Sequence, residues 1–357
     1  MSRIKQVLNE MKNNDLDGLF LITDPNIRYI SGFIGSESFV LITIDRNYFI
    51  TDGRYIEQAE KECPEFEVLE WKKTDLPVEK VLNDLAVRLK LKKIGFEQDY
   101  LAYEMFRKLK NSLTGAEFIP IKDIVEKIRY VKDEEEISNI NRAAEFADLA
   151  FDQILGFVKP GLTEKRVTCE LEYYIRKSGS DGIGFPTILV SGVNTSLPHG
   201  IPSDKVIEEG DFITLDFGGI YHGYHSDMTR TIIVGKADDE QKRIYNIVKE
   251  AQLAALEIIK AGIGGIEPDS KARAIFSREG LEDKFRHELG HGVGLQIHEN
   301  PYMGKTSKDI LEENCIITVE PGLYIPGWGG VRIEDTAVVK KDGMEILTKS
   351  SKELIEL

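Results

Sequence analysis

The sequence has few of the features that mark secreted, membrane-spanning or nucleic-acid-binding proteins. Its three cysteines are far apart and fit neither a disulfide framework nor a metal-binding cysteine cluster, so reduced thiols are expected at Cys63, Cys169 and Cys315. No apolar run is long enough to cross a bilayer, and residues 1–18 carry charges throughout, unlike a signal peptide. Basic residues are outnumbered, with 46 against 61 acidic residues and a net charge of −15, which argues against binding nucleic acid or an anionic membrane. These absences predict a soluble, cytoplasmic protein.

Histidine is missing from the first half of the chain, since all six histidines lie between His199 and His298. Imidazole chemistry is therefore expected only in the second half. The first part instead alternates helix-like and strand-like patterns, beginning with an amphipathic helix at Ile4–Met11. This alternation predicts a small α/β domain over residues 1–125, with a charged connecting segment at residues 119–133.

The rest of the chain, residues 126–357, has the pattern of a second domain, as expected for a length of 357 residues. Acidic residues after Asp133 predict a helix start, because carboxylates stabilise the positive N-terminal end of a helix. Further helices are predicted at Asp239–Ala261 and Ser270–Gly280, and a single strand at Gly330–Val339. We therefore predict an α+β domain in which helices are grouped around a mostly antiparallel sheet.

The central feature of the second domain is a predicted hairpin of two strands, Asp211–Ile220 and Asp227–Val234. The first strand carries Asp216 among Ile, Leu and Phe, where an apolar side chain is expected. A buried carboxylate needs a hydrogen-bond partner, a counter-charge or a metal. Asp227, eleven residues later, is placed to face Asp216, and a divalent cation between the two would relieve their repulsion. The alternative is that one Asp caps the turn and the other is solvated.

Three later segments add candidate ligands for such a cation. His287 and His291 stand four residues apart in a glycine-rich run that favours a loop or strand edge over a helix. Glu320 follows an Ile/Val strand. Glu334 lies inside the strand predicted next, with Arg332 on the same face. Two alternatives stay open: a histidine with a structural role, and an internal ion pair between Arg332 and Glu334 on a solvated face.

These segments supply the protein ligands that two divalent cations require. They are four carboxylates that interrupt apolar strand patterns and one imidazole, at Asp216, Asp227, Glu320, Glu334 and His291. The oxygen-rich set suits Mn²⁺ or another hard-to-borderline ion better than a thiolate-binding ion. The sequence contains neither a G-x-S-x-G nucleophile elbow nor a Walker phosphate loop. Because two such ions can activate water and polarise a carbonyl, the sequence predicts a dinuclear metallohydrolase.

Five short motifs occur in a fixed order along the second domain. They are Asp216 with Asp227, H-x-x-G-H-G-x-G at His287–Gly294, H-E-x-P at His298–Pro301, E-P-G at Glu320–Gly322 and G-G-V-R-I-E-D at Gly329–Asp335. Together they closely resemble the motifs of the proline-specific metallopeptidases of the creatinase/prolidase "pita-bread" family. S-G-F-I-G-S at Ser31–Ser36 and D-G-R-Y at Asp52–Tyr55 extend the resemblance into the first domain. The resemblance implies a pita-bread catalytic domain with a curved, mostly antiparallel sheet, preceded by the small α/β domain.

The resemblance also implies a role for each metal ligand. Asp216 would chelate one metal, and Asp227 and Glu334 would bridge both metals. His291 and Glu320 would complete the second site. The expected cofactors are two divalent ions per chain, Mn²⁺ or Co²⁺, with Zn²⁺ as an alternative.

Catalytic and substrate-binding roles follow from the same resemblance. Glu320 would be the general base and acid for the attacking water, and His298 would stabilise the developing oxyanion or shuttle a proton. His199 would contact the substrate from the opposite side, and Arg332 would orient the carboxylates. The other candidates for substrate binding are His287, Tyr324, Phe185 and Ile297. The last two would line a pocket for the proline ring, although core packing is the alternative.

The predicted activity is hydrolysis of the bond between an N-terminal residue and proline in proline-containing peptides, as by an aminopeptidase P or a prolidase. The family also implies a homodimer. Sequence spacing leaves open whether the substrate is a dipeptide or a longer peptide, because access beyond the proline depends on loops. The alternative function is a catalytically silent pita-bread protein that binds partners.

Overall fold

The computed structural model describes residues 2–357, which divide into two compact units between Arg129 and Tyr130. No helix among these residues combines the length and the apolar character that a membrane crossing requires. The assignment of residues 1–125 and 126–357 to two functional domains stays a prediction.

The first unit contains a six-stranded sheet, and helices lie before, between and after its strands in the sequence. Its strands are β1 (Gly18–Leu21), β2 (Ser38–Thr43), β3 (Asn47–Thr51), β4 (Glu67–Glu70), β5 (Lys93–Glu97) and β6 (Glu117–Ile121). Its helices are α1 (Arg3–Asn13), α2 (Asp24–Ser31), α3 (Ile56–Glu62), α4 (Val78–Leu89), α5 (Tyr103–Ser112) and α6 (Ile124–Arg129). The strand order is β4-β3-β2-β1-β5-β6, with both parallel and antiparallel pairs. Phe20, Leu41, Leu82 and Ile94 are fully buried in one cluster that joins strands to α4, which confirms the predicted α/β pattern.

The second unit consists of helices and short strands. Its helices are α7 (Glu134–Leu155), α8 (Glu164–Lys177), α9 (Asp239–Ile258) and α10 (Ile266–Arg278). Its first strands are β7 (Gly182–Ile183), β8 (Ile188–Ser191), β9 (Phe212–Phe217), β10 (Gly219–Tyr221), β11 (Tyr224–His225) and β12 (Met228–Ile233). They are followed by β13 (Gly290–Gly292), β14 (Glu299–Met303), β15 (Ile316–Val319), β16 (Gly322–Ile325), β17 (Gly329–Arg332), β18 (Asp335–Lys340) and β19 (Gly343–Ile346).

Helix α7 begins where the sequence predicts. The Asp133 side chain accepts from the Glu136 N–H at 2.9 Å, and the Glu136 side chain accepts from the Asp133 N–H at 2.9 Å. This capping box satisfies two backbone donors that have no partner inside the helix.

Antiparallel pairing characterises the sheets of the second unit, as predicted. The strand orders are β12-β9-β8, β14-β13-β15-β18-β19, β11-β10-β7 and the pair β16-β17. Helices α9 and α10 pack on the strands through residues such as Val248, Phe276 and Ile317. Phe151 of α7 and Leu215 of β9 belong to a second buried cluster that α7 and α8 share with β9 and β12. Each such side chain contributes about 1.5–3 kcal/mol by its burial. The helices therefore hold the strands that carry the candidate site.

Two strands predicted from the sequence are each divided in the structure. The first strand of the hairpin ends at Phe217, and the chain continues as β10 in another sheet. At this point a Cβ on Gly218 would lie 1.8 Å from the Ser226 carbonyl oxygen, so the backbones approach more closely than any side chain allows. The strand predicted at Gly330–Val339 is likewise β17 and β18, in different sheets, with Glu334 between them. The placement of Glu334 inside a strand is therefore wrong, because the local pattern does not reveal where a chain changes sheets.

Substitution of Gly218 tests this close approach. We expect Gly218→Ala to lower the free energy of unfolding by about 2–3 kcal/mol, because the added Cβ meets backbone atoms that cannot rotate away. Urea unfolding followed by circular dichroism measures the change. Gly343→Ala is the matched control, since a Cβ there meets nothing within 4 Å, and it should leave the midpoint nearly unchanged. Similar midpoints for the two variants would contradict the role assigned to Gly218.

Candidate functional site

The antiparallel pair of β9 and β12 sets the first two carboxylates close together. Asp216 lies opposite Thr229 in the register, and Asp227 directly precedes β12. Strand β8 covers the other edge of β9, with Ile188 opposite Asp216. Both aspartates are buried, which excludes the alternative of one capping and one solvated aspartate. The strand register therefore brings two buried carboxylates to the same region.

Strand β13 places the imidazole of His291 beside these carboxylates. It pairs with β14 on one side and with β15 on the other. A Cβ on Gly290 would lie 2.0 Å from the Thr318 carbonyl oxygen, and one on Gly292 would lie 2.3 Å from the Asn300 carbonyl oxygen. The glycines on both sides of His291 thus permit the close backbone approach. The segment is not a helix, as predicted, but it is an interior strand and neither a loop nor a strand edge.

Two glutamates at strand ends complete the cluster. Glu320 directly follows β15, and its Oε1 lies 3.3 Å from His291 Nε2. Glu334 lies between β17 and β18, where its N–H donates to the Thr229 carbonyl at 3.1 Å. The Thr229 hydroxyl in turn donates to Glu334 Oε2 at 2.6 Å. Strand β12 therefore fixes Glu334, while β15 carries Glu320 to His291.

The predicted ligands all line one cavity of about 650 Å³. Ligand atoms of Asp227, His291 and Glu334 lie within 4.8 Å of one another, which is close enough for one cation to contact all three. His291 Nε2 is also 3.6 Å from Asp227 Oδ2. The structure thus brings together the five residues predicted as ligands, which are Asp216, Asp227, His291, Glu320 and Glu334.

The carboxylates in this cavity repel one another. Burial and repulsion by Glu334 and Asp216 raise the pKa of Asp227 well above its usual range. Burial and repulsion by Glu320 and Asp216 raise the pKa of Glu334 in the same way. Burial alone would also raise the pKa of Glu320, but the hydrogen bond and charge of His291 lower it to about 2. Full ionisation of these carboxylates is therefore unfavourable unless a cation neutralises their charge.

Two buried carboxylate oxygens indicate that this cluster fits a metal. Asp227 Oδ1 and Glu334 Oε1 are buried, and neither has a hydrogen-bond partner in the part of the chain that the structure describes, residues 2–357. A buried acceptor without a donor costs free energy, and a divalent cation would satisfy both oxygens. Carboxylates with one imidazole suit a hard or borderline cation rather than a thiolate-binding one. The residues present therefore fit a divalent metal site.

Arg332 is buried beside the cluster and pairs with Asp216. It does not pair with Glu334, which the sequence offered as an alternative. Its Nη2 lies 2.5 Å from Asp216 Oδ2, and its Nε donates to the Thr229 hydroxyl at 3.2 Å. The side chain is 4% exposed. A solvated pair between Arg332 and Glu334 is therefore wrong, because β17 turns Arg332 toward the β9–β12 pair.

A chain of hydrogen bonds runs from Arg332 along the cavity wall. Arg332 Nη1 donates to the Tyr324 hydroxyl at 2.7 Å, and that hydroxyl lies 2.8 Å from His287 Nε2. His287 Nδ1 lies 2.8 Å from the Glu288 carbonyl oxygen, which can only accept. Burial lowers the pKa of His287 to about 4, so the ring is neutral at pH 7. The neutral ring therefore donates a hydrogen bond from Nδ1 to the Glu288 carbonyl and accepts one from the Tyr324 hydroxyl at Nε2.

The other candidates also line the cavity. The ring of His298 packs edge-on against His291, with centroids 4.3 Å apart, and partial burial lowers the pKa of His298. His199 is exposed on the segment that follows β8. Phe185 and Ile297 are partly exposed on the cavity wall, so core packing does not describe them.

Two threonines that hold the glutamates were missed by the sequence analysis. The Thr229 hydroxyl donates to Glu334, and the Thr318 hydroxyl donates to Glu320 Oε1 at 3.2 Å. Both threonines are fully buried in strands. Each also lies two residues from a candidate ligand, Asp227 or Glu320, and so on the same strand face by alternation. This spacing alone does not identify them, because Thr214 lies two residues from Asp216 and contacts the Thr231 hydroxyl at 3.4 Å instead.

An oxygen-rich cluster in a cavity, held by antiparallel strands with helices packed on them, is a site that can bind divalent metal and is typical of metal-dependent hydrolases. Comparison with known proteins gives the family. Residues 138–341 match metallopeptidase family M24, and residues 3–131 match the creatinase/prolidase N-terminal domain. The chain belongs to the metallopeptidase family M24, and it is therefore a metallopeptidase that binds divalent metal.

Relatives and solved structures extend this similarity over nearly the whole chain. An Xaa-Pro dipeptidase of Pyrococcus horikoshii is 38% identical over 357 residues, which cover 99% of this chain and 98% of that protein. The structure of an Xaa-Pro dipeptidase from Bacillus anthracis has 45% sequence identity and a TM-score of 0.96, with 99% of each chain covered. That of an X-Pro aminopeptidase from Thermotoga maritima has 39% identity and a TM-score of 0.93 over 100% of both chains. The predicted family and fold are thereby confirmed.

Proposed function

We propose that this protein is an Xaa-Pro peptidase, which hydrolyses the bond between an N-terminal residue and proline. The observation that carries the proposal is the cluster of four carboxylates and His291 in one cavity, where two buried carboxylate oxygens have no hydrogen-bond partner among residues 2–357. Similar proteins, 38–45% identical over almost their full length, bear the names Xaa-Pro dipeptidase and X-Pro aminopeptidase. Their names support the same substrate class for this chain.

The proposed cofactors are two divalent cations per chain, Mn²⁺ or Co²⁺, with Zn²⁺ as the alternative. The residues that would hold them are Asp216, Asp227, His291, Glu320 and Glu334. When bound, these cations polarise the scissile carbonyl and activate water. Carboxylate oxygens with a single imidazole favour such ions over a thiolate-binding metal.

The proposed proton transfers use groups at the cavity surface. Glu320 is assigned as general base and acid, because its Oε1 accepts a hydrogen bond from the Thr318 hydroxyl at 3.2 Å, which leaves Oε2 to take a proton from the attacking water. His298 is assigned to the developing oxyanion, since its exposed ring lies at the edge of the cluster. His199 is assigned to a substrate contact from the opposite wall.

The proposed role of Arg332 is to hold the cluster in place. Its guanidinium fixes Asp216 at 2.5 Å and continues to Tyr324 and His287 through hydrogen bonds. These hydrogen bonds fix the side chains of Tyr324 and His287, which line the cavity and are both assigned to substrate binding. Preorganised contacts of this kind reduce the reorganisation needed during reaction.

Proline recognition is proposed to depend on shape. The Xaa-Pro bond is a tertiary amide without an N–H, so a site cannot select it by accepting a hydrogen bond. Apolar side chains line the cavity near the cluster, among them Phe185, Ile297, Pro198 and Ile201. We assign Phe185 and Ile297 to the proline ring, because a preformed apolar wall suits a rigid ring.

We also propose a homodimer, as the family resemblance implies, with residues 1–125 as the N-terminal domain and 126–357 as the catalytic domain. Sedimentation equilibrium of the purified protein at several concentrations tests the dimer. A single species with the mass of one chain, 40.3 kDa, would contradict it.

A peptide pair that differs at one position tests the proposed activity. We expect protein prepared with Mn²⁺ to hydrolyse Ala-Pro with a kcat/KM about 10²-fold above that for Ala-Ala, because the cavity wall complements a ring. Dialysis against a chelator should abolish hydrolysis, and Mn²⁺ should restore it. Equal rates on both peptides, or undiminished turnover in metal-free protein, would overturn the proposal. Comparison of Ala-Pro with Ala-Pro-Gly then separates dipeptidase from aminopeptidase activity.

A further inference from the structure

One wall of the cavity is a loop whose two ends are tied to the same buried side chain. This segment, residues 192–202, is named here the His199 loop. It leaves β8 at Ser191, passes through a 3₁₀ turn at Gly192–Ser196, and ends before Ser203. The loop lines the cavity with His199 and its neighbours on both sides. The position of His199 therefore depends on what anchors the loop.

The anchor is Glu164, the first residue of α8, which is fully buried. Its Oε1 accepts from the Ser191 N–H at 2.7 Å, the Ser191 hydroxyl at 3.0 Å and the Asn194 amide at 3.1 Å. Its Oε2 accepts from the Ser203 N–H at 2.9 Å and the Ser203 hydroxyl at 2.6 Å. The N-terminus of α8 is capped by the Thr163 hydroxyl, which accepts a hydrogen bond from the Arg166 N–H at 3.2 Å, and not by Glu164. One side chain therefore holds the entry and the exit of the loop with charge-assisted hydrogen bonds.

The middle of the His199 loop is attached to the strand that carries Arg332. The Gly330 N–H donates to the Thr195 hydroxyl oxygen at 2.7 Å, and Arg332 Nη1 donates to the Pro198 carbonyl at 3.3 Å. These contacts fix the centre of the loop against β17. Glu164 fixes its two ends, so the loop is held at three places around His199.

We propose that Glu164 is a positioning residue of the active site, which acts by fixing the His199 loop and thereby the imidazole of His199. The inference rests on the proposed function, in which His199 contacts the substrate. Glu164 is enclosed behind the loop and acts through it rather than on the substrate. Substituting a residue that only stabilises the fold would destabilise all elements of the second unit. Substituting Glu164 should loosen this loop alone.

Substitution by glutamine isolates the effect, because glutamine keeps the shape of Glu164. Each carboxylate oxygen faces a backbone N–H, that of Ser191 or that of Ser203. A glutamine amide has one oxygen and one NH₂ group, so in either orientation one of these N–H donors meets another donor. Glu164→Gln therefore weakens the attachment of one end of the loop while preserving the packing volume; backbone hydrogen bonds such as that from the Lys165 N–H to the Ser203 carbonyl remain.

Hydrogen exchange measures the loop directly, on protein prepared with Mn²⁺. We expect amides of the His199 loop to exchange about tenfold faster in Glu164→Gln, with β9 and β12 unchanged, because only local opening becomes easier. The same variant should bind as much Mn²⁺ per chain as the parent protein. Its kcat/KM for Ala-Pro should fall by about 10–10²-fold, as expected for a misplaced substrate contact.

A double-mutant cycle with His199→Ala shows whether Glu164 acts through His199. We expect Glu164→Gln with His199→Ala to have the same kcat/KM as His199→Ala alone, because the loop then has no imidazole to position. Losses that multiply would assign Glu164 a purely structural role and overturn the proposal. Unchanged exchange in the His199 loop would also overturn it.

Two further variants keep the test decisive. Asp148→Asn is the matched control, because the Asp148 carboxylate similarly accepts from Lys349 N, Ser350 N and the Ser350 hydroxyl, outside the cavity lining. It should leave loop exchange and kcat/KM unchanged. Should Glu164→Gln not fold, Ser203→Ala removes only one hydroxyl donor and is expected to accelerate loop exchange about threefold. Exchange needs no substrate, so a protein that cleaves no Xaa-Pro peptide refutes the proposed function while exchange still tests the anchoring.

Discussion

Asp227→Asn is expected to reduce kcat/KM for an Xaa-Pro peptide by at least about 10³-fold, since a metal contributes several kcal/mol to the transition state. The same variant should make the metal-free protein more stable, by about 1–2 kcal/mol. The reason is that Asp227 is buried and repelled by Glu334 and Asp216, while its Oδ1 has no hydrogen-bond partner among residues 2–357. Neutralising one carboxylate removes part of this repulsion.

Two measurements on the same protein check the opposite signs of these effects. Peptide hydrolysis and Mn²⁺ content per chain should both fall, while thermal unfolding in excess chelator should occur at a higher temperature than in the parent protein. Asp148→Asn is the control for loss of one carboxylate charge outside the cavity, and it should retain hydrolysis. A variant that keeps full hydrolysis would refute the assignment of Asp227 as a ligand. A lower unfolding temperature in chelator would refute the argument from repulsion.

Asp335→Asn is expected to lower the free energy of unfolding by about 3–5 kcal/mol, because it breaks a buried ion pair and leaves charges unpaired. Asp335 is fully buried. Its Oδ1 accepts from Arg230 at 2.7 Å and from the Thr348 hydroxyl at 2.9 Å. Its Oδ2 accepts from Lys352 at 2.6 Å and from the Gln252 amide at 2.7 Å. An asparagine keeps the shape but offers one acceptor and no charge to two cations.

Urea unfolding in excess chelator measures this effect without a contribution from bound metal. The chelator is needed because Asp335 directly follows Glu334, a proposed metal ligand. Glu240→Gln is the control, since Glu240 pairs with Arg243 at 2.7 Å on the exposed face of α9. Its loss should hardly change the midpoint, because solvent screens exposed pairs. Comparable midpoints for the two variants would show that burial does not strengthen the Asp335 pairing.

Local patterns were sufficient to predict several parts of this protein. The acidic residues after Asp133 predicted the start of α7, which the capping box with Glu136 explains. Asp216 stood out because a carboxylate interrupted an apolar strand, and it is indeed buried. The glycines around His291 predicted close backbone approach, which the structure shows, although the strand they form lies inside a sheet and not at its edge. Each of these features arises from neighbours in sequence, so the sequence contains the required information.

Other features depended on contacts between distant parts of the chain. Arg332 pairs with Asp216, 116 residues away, although alternation made Glu334 the obvious partner. Glu164 anchors Ser191 and Ser203, 27 and 39 residues further along, and nothing in its own helix marks it. The position of such partners depends on strand register and on where the chain changes sheets.

The sequence by itself determined the kind of chemistry, because carboxylates and an imidazole within apolar, strand-like patterns can be recognised in each segment separately. It also determined the family, through five motifs in order. Only the tertiary structure decided which charges face each other, which hydroxyls hold them, and which loop carries His199 to the cavity. The physical reason is that propensity and alternation act over a few residues, whereas electrostatic pairing and close packing act between strands that sequence alone does not align.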